Sequence, residues 1–195
     1  MLKPSDKWNW YFDEQKACLM LDLGEEMIFQ TNLSRKLLVN CAFSNSEFTV
    51  DDASAFQTFN ERIRCLDISE YRQAELTLYC VAAKRFHKPV QPKSWFFDAQ
   101  SSDYEPQEGD MVFLTNQYSD GMFIVLEPGE TSSLCAYVNQ EAFVLDGNKA
   151  LQFGQPIKVM HDRMACANHL FAMPPMAMVG YCLLYTSPSP RDTRE

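Results

Sequence analysis

The chain has 195 residues, of which 46% are hydrophobic and 22% charged, and its formal net charge is −9. This composition is typical of a globular protein with enough apolar residues for one domain or two small ones. The negative charge disfavours nonspecific binding to nucleic acid or to an anionic membrane, because their phosphates would meet a surface rich in carboxylates. We therefore expect neither as a partner.

Short apolar runs separated by polar turn residues open the chain, at residues 8–13, 17–23 and 27–29. Runs of this length predict strands joined by tight connections, which gives an antiparallel meander. Alternate residues of a strand face opposite sides, so Trp8 and Trp10 share one face and Tyr11 lies on the other. The tryptophan face either fills the core, which we favour, or lines a pocket for a partner peptide or small molecule.

Two amphipathic helices are predicted next. Asp51 and Asp52 suit a helix N-terminus, where carboxylates accept from free N–H groups and complement the helix dipole. The first apolar stripe, at spacings of three and four, comprises Phe56, Phe59, Ile63 and Leu66. The second follows a predicted N-cap at Ser69 and comprises Leu76, Tyr79, Cys80, Ala83 and Phe86. We expect both helices to pack on the opening sheet.

The sequence pattern changes after residue 95, where a polar connector at 98–110 precedes a series of short strands. The predicted strands are 111–114, 122–126, 133–138, 142–145, 150–153 and 157–160. Many short strands with turn signals between them favour a small barrel or sandwich. The predicted fold class is therefore α+β, with an N-terminal α/β domain at 1–95 and a C-terminal β domain at 96–163.

Residues 87–97 form the most distinctive segment of the chain. Proline fixes its own φ and pushes the preceding residue out of the helical region, so Lys88-Pro89 ends the second helix and leaves extended backbone after it. The segment places Lys88 and Lys93 beside prolines and then an aromatic triplet at 95–97. It has the build of a cationic binding edge anchored by its aromatic residues, although simple solvation of both lysines is the alternative.

Recognised catalytic and metal-binding motifs are missing from the sequence. The seven cysteines are scattered singly, and the three histidines lack ligand spacing, so we expect neither a metal nor a cofactor. Asp51-Asp52, Glu25-Glu26 and His161-Asp162 are formal acid/base candidates, but a helix cap, a solvated turn and a strand end explain them with less strain. We predict a protein that is not an enzyme.

The cysteine usage and the N-terminus indicate a reducing, cytoplasmic setting. We expect no secretory leader, because Lys3, Asp6 and Lys7 interrupt the first residues, and no apolar run approaches the ~20 residues of a membrane helix. At the other end, residues 182–195 lack periodicity and resemble translated adapter sequence from a sequencing library. We expect this tail to be non-native, and residues 164–181 are left unassigned.

The order and spacing of short motifs resemble those of the ZapC family of cell-division proteins. The motifs are KP at 3–4, WNWYFD at 8–13, LMLDL at 19–23, VDDA at 50–53, QAEL at 73–76, KP at 88–89, PKSW at 92–95, LQFG at 151–154, IKVM at 157–160 and DR at 162–163. The resemblance extends from the N-terminus to about Arg163.

The resemblance implies a cytoplasmic protein, usually a monomer, that joins the division ring at midcell. It implies binding to polymers of the tubulin-like GTPase FtsZ, promotion of their lateral bundling and a lower GTPase activity. It further implies a hydrophobic pocket in the N-terminal domain and a twisted β-barrel in the C-terminal domain. By the same resemblance, Leu21, Lys88 and Lys93 match positions linked to FtsZ binding.

Overall fold

The computed structural model describes residues 2–101 and 103–170, and in them the chain adopts a mixed α+β fold. The first sheet contains β1 (Asn9–Asp13), β2 (Cys18–Gly24), β3 (Met27–Ser34) and the short β4 (Ser46–Glu47). Its strand order is β3-β2-β1-β4, and every pairing is antiparallel. The predicted meander is confirmed. Glu25 and Glu26 lie exposed in the turn after β2, at positive φ angles.

Two helices follow the first sheet, α1 (Val50–Ile63) and α2 (Glu70–Phe86). The N-cap of α1 is Thr49, two residues before Asp51, where the helix was predicted to begin, and its hydroxyl accepts from the Asp52 N–H at 3.1 Å. Ser69 caps α2 as predicted, since its hydroxyl accepts from the Arg72 N–H at 3.2 Å. The helix ends where His87 turns to extended backbone, immediately before Lys88-Pro89.

The second sheet lies in the C-terminal half. It comprises β5 (Met111–Thr115), β6 (Asp120–Pro128), β7 (Ser132–Tyr137), β10 (Pro156–Met160) and β11 (Ala165–Cys166), in the order β10-β7-β6-β5-β11. A separate hairpin joins β8 (Phe143–Val144) to β9 (Ala150–Leu151). All six predicted strands are present, although β8 and β9 are shorter than expected. Closure into a barrel stays a prediction, because within the described residues β10 and β11 are the two edges of the sheet.

Apolar side chains form two core clusters. The first combines Trp10, Leu21 and the inner faces of both helices with residues such as Ile124 of the second sheet. The second, on the opposite face of that sheet, includes Phe97 and Phe123. Both helices pack on the opening sheet as expected, since α2 contacts β3 and the Asp52 side chain of α1 accepts from the Trp10 indole of β1, and α2 also packs on β6 of the second sheet. The boundary at residue 95 therefore stays a prediction, as core contacts cross it.

Candidate partner-binding edge

Residues 87–97 leave α2 with an isolated bridge between His87 and Leu38, continue without regular secondary structure and include a single 3-10 turn at Ser94–Phe96. The Lys88 N–H donates to the Leu37 carbonyl at 2.8 Å, and the Lys93 N–H donates to the Lys158 carbonyl at 2.8 Å. One end of the segment is thus fixed beside the first sheet and the other beside β10. Backbone hydrogen bonds at both ends hold the segment in a defined shape.

The structure leaves Lys88 and Lys93 exposed at the two ends of this segment. Neither side chain has an ion-pair partner among residues 2–101 and 103–170. Five residue steps separate the two Cα atoms by at most about 17 Å. The two lysines therefore present free positive charge along one edge of a protein whose net charge is −9.

The three aromatic residues of the segment differ in burial. Phe96 and Phe97 are buried, at 9% and 5% exposed, and Phe97 packs edge-to-face on Phe123 with ring centroids 6.1 Å apart. Trp95 is 71% exposed. The prediction that all three rings anchor the edge is therefore wrong for Trp95, because the 3-10 turn directs it to solvent while its neighbours enter the second core.

Leu21 lies elsewhere, in the middle of the first sheet. It is fully buried, with 0% exposure, and pairs with Trp10 across β1 and β2. A partner cannot touch this side chain in the folded protein. Its role in binding stays a prediction, and its burial favours an indirect role through packing. Lys88 and Lys93 are brought to one edge, but Leu21 is not brought to it.

His87 begins the edge, and burial lowers its pKa below the ordinary value of 6.5, with the neighbouring cations Lys88 and Lys93 acting in the same direction. Its Nδ1 lies 2.7 Å from the Lys88 carbonyl oxygen, a hydrogen bond that opposes this lowering in part. The environment thus favours the neutral imidazole. The positive charge of the edge comes from the lysines.

The formal acid/base candidates have structural roles. Asp52 completes a capping box with Thr49, whose N–H donates to its carboxylate at 2.9 Å. His161 and Asp162 contact different groups: Nε2 of His161 lies 2.8 Å from the hydroxyl of the fully buried Ser133, while Asp162 pairs with Arg163 at 3.2 Å. The adjacent carboxylate therefore pairs with an arginine and not with the imidazole.

The aromatic residues of the first strand lie in the core, as favoured from the sequence. Trp8 and Trp10 are 4% and 0% exposed, and both pack on Phe48, with centroids 5.0 and 5.8 Å away. The indole N–H of Trp10 donates to Asp52 at 3.0 Å. A pocket lined by these two rings is therefore not available to a ligand, because the protein itself fills the space.

A cavity that the sequence did not indicate lies between the first sheet and the C-terminal half. Its volume is about 460 Å³, and its walls include His87, Lys93, Lys149 and Lys158. These residues come from three separate segments, so no local pattern predicts their meeting. Within the described part of the chain, no group of three His, Cys, Asp or Glu side chains is placed to hold a metal ion. No helix in that part has the length and apolar character to cross a membrane.

Known protein families match nearly all of the described chain. The family description "Cell-division protein ZapC, N-terminal" matches residues 1–88, and "Cell-division protein ZapC, C-terminal" matches residues 89–169. The chain belongs to the ZapC family of cell-division proteins. The N-terminal match ends at Lys88, and so the predicted edge straddles the two matched regions.

Curated ZapC proteins are similar over almost their whole length. The cell division protein ZapC of Vibrio vulnificus is 63% identical over 180 residues, covering 92% of this chain and all of that protein. The Vibrio cholerae protein is 62% identical over 179 residues, covering 92% and 99%. The Aeromonas hydrophila protein is 35% identical over 164 residues, covering 84% and 92%. Family membership supports a role in cell division. The family description does not name a chemical reaction.

Proposed function

We propose that this protein binds polymers of the tubulin-like division GTPase FtsZ through the edge that carries Lys88 and Lys93. The observation that carries the proposal is the pair of exposed lysines on a segment whose backbone is hydrogen-bonded at both lysines, in an otherwise acidic protein. Fixing the backbone before binding lowers the entropy that binding must overcome. Membership of the ZapC family supports a partner in the division machinery.

Bound molecules promote lateral association of the filaments, lower their GTPase activity and stabilise the division ring at midcell. Acidic filaments repel one another sideways, so cationic contacts from a bound protein offset that repulsion locally. A monomer that bundles filaments needs two contact surfaces or must alter the filament itself. Trp95 offers an apolar contact beside Lys93, since an exposed tryptophan at the centre of a contact contributes strongly to binding.

Co-sedimentation with FtsZ polymers tests the proposed site. The double variant Lys88→Asp/Lys93→Asp is expected to stay in the supernatant, because two attractive contacts become repulsive. The matched control is Lys7→Asp/Lys16→Asp, which makes the same change of charge at two exposed positions that flank β1. Equal loss in both variants, or undiminished pelleting of the first, contradicts the site.

Three further measurements test the other parts of the proposal. Wild-type binding should weaken steeply from 50 to 300 mM salt, because screening acts most on exposed charges. Light scattering follows bundling, and phosphate release follows the GTPase activity. A fluorescent fusion to the chain reports its localisation in dividing cells. Salt-insensitive pelleting would favour an apolar contact over the lysine edge.

A further inference from the structure

The cavity between the first sheet and the C-terminal half has an unusual charge distribution. Its lining carries Lys93, Lys149, Lys158 and His87, and no Asp or Glu among the described residues lines it. The chain as a whole has 26 acidic residues against 17 lysines and arginines. Such a cluster is not the result of a generally basic surface, and it creates a local positive potential inside a concave site.

The three lysines are free to take an anionic ligand. None of them forms an ion pair within residues 2–101 and 103–170. The ammonium of Lys149 lies 5.8 Å from the centroid of the Phe96 ring, a cation-π contact that holds it at the rim of the cavity. Lys158 is half-buried on β10, next to the backbone bond that fixes Lys93.

The rest of the lining combines apolar side chains with the uncharged amides of Asn32, Gln91, Asn148 and Gln155. Leu37, Leu151 and Ile157 contribute to the walls together with the Phe96 ring. Asn32 lines the same cavity: its Nδ2 donates to the Gly154 carbonyl at 2.8 Å, which leaves its buried Oδ1 without a donor among the described residues. The volume of about 460 Å³ lies within the range of small-molecule sites, which often form where two halves of a protein meet.

We propose that this cavity binds a small molecule in which an apolar body carries an anionic group such as a carboxylate, sulfonate or phosphate. The anionic group faces Lys149 and Lys158, and the apolar body lies against Leu151 and Ile157. Occupancy also neutralises part of the charge around Lys93, which belongs to the edge proposed for filament binding. The cavity itself is argued from its own lining and does not depend on that function.

Titration of the full chain with 8-anilinonaphthalene-1-sulfonate, which joins a sulfonate to an aromatic body, tests the site without FtsZ. We expect one saturable site with enhanced fluorescence. The variant Lys149→Gln/Lys158→Gln should bind the probe about tenfold more weakly, because two charge-assisted contacts are lost. The control Lys7→Gln/Lys16→Gln, with the same change of charge at distant exposed positions, should bind like the wild type.

Competition with pyrophosphate separates the two halves of the proposal. An anion without an apolar body is expected to displace the probe only at much higher concentration. Displacement at equal concentration would overturn the apolar requirement. Absence of saturable binding, or equal affinity in the wild type and the Lys149→Gln/Lys158→Gln variant with matching melting temperatures, would overturn the site.

Discussion

Asp52 and Arg85 join the two helices through an ion pair in which the carboxylate is buried and the guanidinium is partly exposed. The Arg85 Nη1 lies 2.5 Å from the Asp52 Oδ2, and the Asp52 side chain is only 4% exposed. The same oxygen accepts from the Trp10 indole and from the Thr49 N–H. One carboxylate oxygen thus connects β1, the start of α1 and the end of α2.

Asp52→Asn should destabilise the fold by about 3 kcal/mol, because Arg85 loses its counter-charge in a largely buried site. Urea unfolding followed by circular dichroism measures the change. Asp51→Asn is the matched control, since Asp51 is exposed in the same helix turn and should change stability by under about 1 kcal/mol. Equal losses in the two variants would contradict the role given to the pair.

Leu21→Ala should lower the stability by about 3 kcal/mol, because it leaves a cavity beneath the first sheet. Leu21→Met keeps the volume, and it should cost less than about 1.5 kcal/mol. If Leu21 acts only through packing, the methionine variant co-sediments with FtsZ like the wild type. A folded methionine variant that fails to pellet would show that the side chain has a direct role.

Substitutions of Trp95 and Phe97 should differ in their effect on stability, because the first ring is exposed and the second is buried. Trp95→Ala removes a ring that is 71% exposed, so the melting temperature should move by no more than about 2 °C. Phe97→Ala removes a buried ring and should cost about 3 to 5 kcal/mol. Differential scanning fluorimetry gives both values, and co-sedimentation then shows whether Trp95→Ala weakens filament binding. A large thermal loss in Trp95→Ala would contradict its exposed position.

Gly154 allows the second half of the chain to approach α2. Its φ is +82°, and a Cβ built there would lie 2.4 Å from the Tyr79 ring. Gly154→Ala should therefore destabilise the protein by about 2 to 4 kcal/mol, from backbone strain and overpacking together. Gly147→Ala is the control, because its Cβ would meet nothing within 4 Å. Chemical unfolding of both variants tests the contrast.

The pH dependence of stability should reflect His87. Burial lowers its pKa below 6.5 in the folded protein, so the unfolded chain binds more protons as the pH falls through that value. The contribution of His87 to stability is fully present above about pH 6.5, and it is lost progressively as the pH falls from there to the folded pKa. His87→Gln should show a shallower decline in melting temperature between pH 7.5 and pH 5. Parallel curves for the two proteins would contradict this assignment.

Local chemistry made much of the fold predictable. Ser69 and Lys88-Pro89 bound α2 because capping and proline geometry act within a few residues of the chain. The six C-terminal strands were predicted because turn residues separate them. Short pairings such as β4 and β11 were missed, since two residues of strand carry no periodicity and form only when a neighbouring strand is already in place.

The sequence by itself determined that Lys88 and Lys93 lie exposed on a nonhelical segment, because lysine is rarely buried and the neighbouring prolines end the helix. It did not determine that Trp95 faces solvent while Phe97 is buried. These two aromatic residues share the same local sequence, and they differ only in which distant side chains lie beside them. Nor did it determine that Lys149 and Lys158 meet Lys93 at one cavity. Tertiary packing alone decides these positions, since burial and proximity between distant segments depend on how the two sheets close around the helices.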